Sequence, residues 1–105
     1  KLAEDFSERL IHVHCKDIRK EVLKKSLKND STFRQAFLDG AFTVPGDGCI
    51  DYKPFLKVLN RNNYKGWLVV EAEQDPLKAN PFEYAKIGFN YLSKTAKECG
   101  FEIIN

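Results

Sequence analysis

The chain has 105 residues, of which 43% are hydrophobic and 30% are charged, as expected for one small folded domain. Its net charge of +2 is too small, and too mixed in sign, to indicate a nucleic-acid partner or a membrane partner. No apolar run reaches the roughly 18 residues of a membrane span and no signal peptide is recognisable, so we expect a cytoplasmic protein.

Three cysteines and the absence of methionine bear on the origin of the chain. Cys15, Cys49 and Cys99 are odd in number and widely spaced, and they fit neither a disulfide framework nor a Cys-x-x-Cys metal site. Reduced thiols are therefore expected. The sequence contains no Met, not even at its first position, so we expect a fragment or a processed form of a longer protein.

The first part of the chain predicts one strand and two helices. Residues 10–15 (LIHVHC) alternate between two faces, so that His12 and His14 share one face of a strand. Apolar residues at helical spacing predict a helix over residues 18–27. After an Asn-Asp-Ser break, Ser31 is predicted to cap a second helix that ends at a glycine.

A loop, a helix and a second strand are predicted next. Pro45 and two glycines make residues 42–51 an irregular loop, which lacks the Lys-Ser/Thr pair of a phosphate-binding loop. Asp51 is predicted to cap the following helix. A short apolar run over residues 67–70, preceded by Gly66 and followed by charges and an Asp-Pro, predicts a buried strand.

The last helix has the clearest start signal in the chain. Asn80 is predicted to cap it, with Pro81 as the first residue and Glu83 completing a capping box. Its apolar residues recur at spacings of three and four, which predicts that one stripe packs on the strands. The stripe consists of Phe82, Ala85, Phe89, Leu92, Ala96 and Cys99.

A helical crossover between two buried strands predicts an α/β fold with a right-handed parallel β-α-β unit. Two parallel strands cannot cover their own edges or bury both of their faces. We therefore expect the chain to need further strands, supplied either by an N-terminal portion or by other copies of itself.

The predicted strands end in the side chains that carry chemistry. His14 is last on the first strand, and Glu71 follows the second. The carboxyl ends of parallel strands meet at one edge, so His14 and Glu71 are expected to face each other. An imidazole and a carboxylate suit a divalent metal such as Mn²⁺, Co²⁺ or Zn²⁺, and a simple hydrogen-bonded pair is the alternative. Two ligands are too few for a firmly held catalytic metal.

Four further polar residues lie near these strand ends. Glu73 either exchanges protons with a substrate or is a solvated carboxylate at the rim. Lys16 is a candidate for holding a substrate oxygen. His12 is either a packed interior residue or a substrate contact. Asp17 is predicted simply to cap the helix that follows.

Three segments resemble the xylose isomerase-like superfamily of sugar isomerases and epimerases. They are residues 12–17 (HVHCKD), 42–51 (FTVPGDGCID) and 66–76 (GWLVVEAEQDP). The His-x-Lys-Asp and Gly-x-Gly-x-Ile-Asp elements are widespread in that superfamily. TVPGDG followed by EAEQDP is more specific and is similar to its dehydratases of keto-cyclitols. The resemblance extends over nearly the whole chain.

The fold and the metal implied by this resemblance are specific. Residues 1–105 would form the C-terminal portion of a single (β/α)8 TIM-barrel domain, namely its last two βα units. A divalent metal, Mn²⁺ or Co²⁺, would be held by His14 and Glu71 together with a Glu and an Asp on earlier strands. Those two earlier ligands have no counterpart in this chain.

The resemblance also implies a reaction on a small cyclitol substrate. The superfamily's dehydratases convert 2-keto-myo-inositol to a trihydroxycyclohexane-dione through metal-assisted enediolate formation and loss of water. Glu71 and Glu73 would be catalytic, and His12 and Lys16 would contact the substrate. The isolated chain is expected to be inactive.

Two alternatives stay open. A ketose isomerase or epimerase of the same superfamily would share the metal and the enediolate but lose no water. A non-catalytic domain would instead associate with itself through its open strands.

Overall fold

The computed structural model describes residues 1–104, which form five helices, one 3-10 turn and four strands. In chain order these are α1 (Leu2–Asp5), the 3-10 turn (Ser7–Arg9), β1 (His12–Cys15), β2 (Asp17–Ile18), α2 (Lys20–Lys28), α3 (Phe33–Leu38), β3 (Phe42–Thr43), α4 (Lys53–Arg61), β4 (Trp67–Val70) and α5 (Pro81–Glu98). The α/β class expected from the sequence is confirmed.

Strands β1 and β4 pair in parallel, as predicted. His12 lies opposite Trp67 in the register, and Cys15 lies opposite Val70. The ladder continues one step beyond the strands, because the Glu71 N–H donates to the Cys15 carbonyl at 3.0 Å. Strand β1 begins two residues later than expected, since the backbone N–H of Leu10 still closes the preceding 3-10 turn.

The two faces of the β1–β4 pair differ in what covers them. Side chains on one face pack against α4 and α5, where the core consists of Cys15, Tyr52, Leu56, Leu59, Leu92 and Ala96. The other face carries His12, His14 and Trp67, and the Trp67 side chain is 72% exposed. Helices of the described residues therefore cover this pair of strands on one side.

A second, shorter ladder corrects two sequence predictions. Strand β2 pairs antiparallel with β3, with Asp17 opposite Thr43 and Ile18 opposite Phe42. The segment 42–51 is therefore not wholly irregular, and Ile18 belongs to a strand rather than to the helix. Helix α2 starts at Lys20 because the chain stays extended through its N-cap residue.

Helix α2 also buries fewer apolar side chains than its sequence pattern predicts. Leu27, one of the apolar residues whose spacing predicted the helix, is 72% exposed, and Ser26 is the buried residue of this helix.

Asp17 does not cap helix α2, contrary to expectation. Its carboxylate is fully buried, and Oδ1 accepts hydrogen bonds from the backbone N–H groups of Ile18 at 2.7 Å and Ile50 at 3.0 Å. Gly48 packs so closely on this carboxylate that a Cβ there would overlap it. Asp17 therefore fastens the loop before α4 to the end of β2.

Of the other three predicted helix caps, two are displaced by one residue. The Thr32 side chain, not that of Ser31, accepts from the Gln35 N–H. Tyr52 occupies the N-cap position of α4, although the Asp51 carboxylate still accepts from the Lys53 N–H at 3.0 Å. The third prediction is confirmed, because Asn80 Oδ1 accepts from the N–H groups of residues 82 and 83.

Helix α5 buries only part of the predicted stripe: Leu92 and Ala96 are buried as predicted, whereas Phe82 and Phe89 are not. Its buried residues are Gly88, Leu92, Thr95 and Ala96. Phe82 and Phe89 are 68% and 57% exposed. The reason is Gly88, where a Cβ would lie only 2.6 Å from Val70 Cγ1. The missing side chain lets the helix approach β4 on this face, and the phenylalanines consequently point away.

The described residues bear on two further expectations. None of the helices within residues 1–104 combines the length and apolarity needed to cross a membrane. Cys15, Cys49 and Cys99 are all free thiols. Burial raises the pKa of the Cys15 thiol to about 11, which makes it a poor nucleophile at neutral pH.

We expect the two apolar residues Phe89 and Leu92 to differ sharply in their effect on the stability of this chain. Leu92→Ala should lower the free energy of unfolding by about 2–5 kcal/mol, since it leaves a cavity in the core. Phe89→Ala should cost less than about 1 kcal/mol because the ring is mostly in solvent. Urea denaturation of both variants measures the difference, and equal losses would contradict the observed orientation of α5.

Candidate active site at the carboxyl ends of the strands

Four polar side chains meet beyond the carboxyl ends of β1 and β4. His14 Nδ1 lies 2.8 Å from Glu71 Oε2. Lys16 Nζ lies 3.3 Å from the same oxygen and 3.6 Å from Glu73 Oε2. The expectation that His14 faces Glu71 is confirmed by this contact. The catalytic, substrate-binding and metal-binding roles assigned to these residues stay predictions.

The parallel ladder explains why these side chains converge. His14 is paired with Val69, and Glu71 lies two residues beyond Val69, on the same face of the sheet. Both side chains therefore project from the face that the helices leave open. The His14 side chain is 54% exposed and that of Glu71 is 29% exposed, so a small molecule can reach both.

Hydrogen bonds in the cluster stabilise its charged forms. The Lys16 ammonium, followed by the His14 ring, lowers the pKa of Glu71 below its ordinary value. Conversely, the hydrogen bond to Glu71 is the main cause that raises the pKa of Lys16. Glu71 is therefore an anion and Lys16 a cation at neutral pH, so the cluster contains a carboxylate of the kind that binds cations and an ammonium of the kind that binds oxygen atoms.

His12 lies on the same open face, one residue pair deeper along the strand. Its ring centroid is 5.2 Å from that of His14, with an angle of 60° between the rings. His12 is exposed, so it is not a packed interior residue of this chain. Of the two interpretations given above, substrate contact is the one that this position leaves open.

The donor types at this edge fit part of a divalent metal site. His14 and Glu71 offer one nitrogen and one carboxylate, a combination suited to Mn²⁺, Co²⁺ or Zn²⁺. Within residues 1–104, no group of three or more His, Cys, Asp or Glu side chains is placed to hold a metal ion. Catalytic metals usually have at least three protein ligands, so these residues would form half of such a site.

A cleft adjoins the cluster on the side of helix α3. Its volume is about 470 Å³. The lining residues are Phe33, Arg34, Phe37, Ala72, Glu73 and Gln74. Glu73 therefore lies both beside Lys16 and at the wall of this cleft.

Arg19 is a site residue that the sequence analysis missed. Its guanidinium donates to Asp47 Oδ2 at 2.6 Å, to Gln74 Oε1 at 3.1 Å and to the Tyr84 hydroxyl at 3.3 Å. It also donates to the backbone carbonyl of Gly40, in the turn before β3, and to that of Phe42, the first residue of β3. Its partners are 21 to 65 positions away in sequence, and no local pattern could indicate them. The Gly-Asp-Gly loop thus uses Asp47 to hold Arg19.

Comparison with known proteins assigns the chain to a family. Residues 1–95 match the family model described as xylose isomerase-like TIM barrel, and the chain belongs to that family. The chain is also similar to individual proteins, two of them inosose dehydratases and one a rhizopine catabolism protein.

It is 53% identical over 89 residues to the inosose dehydratase of Clostridium beijerinckii, an alignment that covers 85% of this chain and 30% of that enzyme. Identity to the rhizopine catabolism protein MocC of Rhizobium meliloti is 48% over 97 residues, with 92% of this chain and 30% of that protein covered. Identity to the inosose dehydratase of Glaesserella parasuis is 50% over 93 residues, and the alignment covers 89% of this chain and 31% of that enzyme. The chain thus spans about 30% of the length of these relatives.

We expect Lys16→Met to raise the pKa of Glu71 toward its ordinary value, because the largest stabilising contact of the carboxylate is lost. Since the folded pKa of Glu71 is depressed, the stability that its contacts contribute is present at neutral pH and is lost as the pH falls through that pKa. Carbon-detected NMR titration of the Glu71 carboxyl measures the shift. Lys24→Met, which removes the exposed Lys24–Glu21 pair, is the matched control. An unchanged Glu71 titration in Lys16→Met would contradict this prediction.

Proposed function

We propose that the protein to which this chain belongs removes water from 2-keto-myo-inositol and yields a trihydroxycyclohexane-dione. The observation that carries this proposal is the identity of 53% and 50% to two inosose dehydratases over 85% and 89% of this chain. The cluster supports it, because the His, Lys and two Glu residues meet on an open face that a small polyol can reach.

The chemistry requires three events at adjacent carbons of the ring. A base removes the proton from a carbon next to the ketone, whose carbonyl makes that proton acidic. The hydroxyl on the following carbon leaves with a proton from an acid, and the two become water. The enol that remains tautomerises to the dione, and the net change is the loss of one water molecule. The protein must therefore supply a base, an acid and positive charge near the carbonyl oxygen.

The described residues can divide these tasks. His14 and Glu71 would hold a divalent ion, Mn²⁺ or Co²⁺, which supplies positive charge to stabilise the negative charge that develops on the substrate oxygens. Glu73, with Glu71 as a second carboxylate, would carry protons at the rim. The Lys16 ammonium lies between these carboxylates and would donate a hydrogen bond to a substrate oxygen. His12 would contact a hydroxyl on the open face.

We further propose that residues 1–105 work as the last two βα units of an eight-stranded barrel. The uncovered face of β1 and β4, with Trp67 72% exposed, supports this arrangement. So does the incomplete donor set, because a barrel would bring a Glu and an Asp from other strands to the ion. Those strands would come from the same polypeptide or from further copies of this chain.

The family match favours one second candidate, an isomerase or epimerase of a ketose. It would use the same proton abstraction next to a carbonyl, but it would return the proton to a different atom and release no water. Analysis of products by mass spectrometry decides between the two, because a dehydrated dione is lighter by one water and an isomer has unchanged mass.

His14→Ala is expected to remove the bound metal and nearly abolish dehydration in the active protein. Changes to residues that merely support a metal ligand cost about 10–100-fold, so loss of the ligand should exceed about 100-fold. Metal content and turnover measure the effect, and circular dichroism verifies the fold. His12→Ala is the matched control, since it should retain the metal. Full metal content and normal turnover in His14→Ala would give His14 a structural role instead.

The isolated 105-residue chain is expected to show no turnover of 2-keto-myo-inositol. Its parallel sheet has two strands within residues 1–104. Ile11 and Trp67 are 76% and 72% exposed. Apolar side chains and strand edges left open in this way favour association with further copies. Light scattering, Mn²⁺ titration and product analysis of the purified chain test the expectation together. A compact monomer that binds Mn²⁺ stoichiometrically and releases the dione would contradict it, whereas a metal-free inactive oligomer would agree with it.

A further inference from the structure

The guanidinium of Arg19 joins the two loops that carry the polar cluster. Arg19 follows shortly after Lys16 on the segment leaving β1, and its partner Gln74 follows directly after Glu73 on the segment leaving β4. Asp47 fixes the guanidinium from the opposite side at 2.6 Å and is itself held by the Thr43 hydroxyl.

The loop after β4 has few other attachments. Glu71 is tied to the sheet through its N–H, and the Asp75 carbonyl accepts the next backbone hydrogen bonds, from residues 78 and 79. Between them, residues 72–74 make no backbone–backbone hydrogen bond within the part of the chain that the structure describes. Their polar side-chain contacts there are the Glu73–Lys16 pair at 3.6 Å and the Gln74–Arg19 hydrogen bond at 3.1 Å.

These two attachments differ in strength. Glu73 and Lys16 are 40% and 45% exposed, and exposed ion pairs of this kind contribute little. The side chain of Arg19 is 29% exposed. Its planar, charged guanidinium donates hydrogen bonds to the Asp47 carboxylate and to further oxygen atoms, which fixes its orientation. The Arg19–Gln74 contact is therefore the one that sets the position of the loop.

We infer that Arg19 is a positioning residue, which acts through Gln74 to hold Glu71 and Glu73 in place beside Lys16. This inference rests on the proposed function, since it assigns Arg19 a part in the same reaction. Arg19 does not touch the cluster itself. Its contribution is to keep the carboxylates where a proton transfer needs them, and a displacement of about 1 Å can lower such a rate about 100-fold.

Four variants of the active protein test the inference. Arg19→Lys keeps a positive charge near Asp47 but replaces the planar guanidinium, whose Nη2 donates to both Asp47 and Gln74, by a single ammonium. Gln74→Leu removes the acceptor and leaves the other contacts of Arg19 intact, so it keeps the test valid if Arg19→Lys fails to fold. Gln74→Glu retains an oxygen that accepts from Arg19, and the double variant Arg19→Lys with Gln74→Leu measures coupling. Arg61→Lys is the matched control, because Arg61 pairs with Glu4 in an exposed contact elsewhere.

The expected result is a loss in kcat with little change in KM. Arg19→Lys and Gln74→Leu should each lower kcat about 10–100-fold while KM stays within about twofold. Gln74→Glu should restore most of the rate, Arg61→Lys should match the unmodified protein, and the double variant should be no slower than the slower single variant. A rise in KM alone would make Arg19 a substrate contact and overturn the inference. So would normal kcat, additive losses in the double variant, or no rescue by Gln74→Glu.

Amide hydrogen exchange keeps this inference separable from the proposed function. Arg19→Lys and Gln74→Leu should both accelerate exchange at the hydrogen-bonded amides on either side of this loop, those of residues 71, 78 and 79, and leave helix α4 unchanged. If the unmodified protein forms no dione, the proposed function fails, while accelerated exchange still shows that Arg19 holds the loop. Unchanged exchange in both variants would overturn the positioning role whatever the activity.

Discussion

The parallel hydrogen-bonded ladder between β1 and β4 is the constraint on which the candidate site depends. It sets His14 opposite Val69 and places Glu71 two residues beyond Val69, on the same face of the sheet. A shift of one residue in this register would turn His14 and Glu71 to opposite faces, because successive side chains on a strand alternate. The core maintains the register, since the alternating side chains on the other face, Cys15 and Val70 among them, are packed against α4 and α5.

The one-sided core explains why the open face is available for chemistry. Helix α5 approaches β4 closely at Gly88 and buries Leu92 and Ala96 beneath the strands. The histidines project from the opposite face, where the described residues provide no covering layer. A fold that packed both faces of the pair within this chain would bury these polar groups at a considerable cost. The same one-sidedness is the physical reason for proposing that further strands complete the site.

The loops that follow the strands are held by side-chain hydrogen bonds rather than by regular structure. Asp17 ties the segment before α4 to β2 with two hydrogen bonds from backbone N–H groups, and Arg19 ties three other segments together. Both residues lie within four positions of the end of β1, the strand that carries His14. The short segment from His14 to Arg19 therefore supplies a candidate metal ligand, a candidate substrate contact in Lys16, and the anchors that position the loops around them.

Local sequence determined the features that depend on near neighbours. The apolar runs gave the two strands, Asn80 gave the start of α5, and the strand-end positions of His14 and Glu71 indicated that they would meet. Tertiary structure alone decided that Gly88 and Thr95, and not Phe82 and Phe89, join Leu92 and Ala96 on the buried face of α5. Helical spacing allows either set, and only the close contact of Gly88 with Val70 resolves the choice. It also decided the roles of Asp17 and Arg19, whose partners lie up to 33 and 65 positions away. Periodicity and capping signals act within a few residues, whereas these contacts exist only after the strands have paired and the loops have closed.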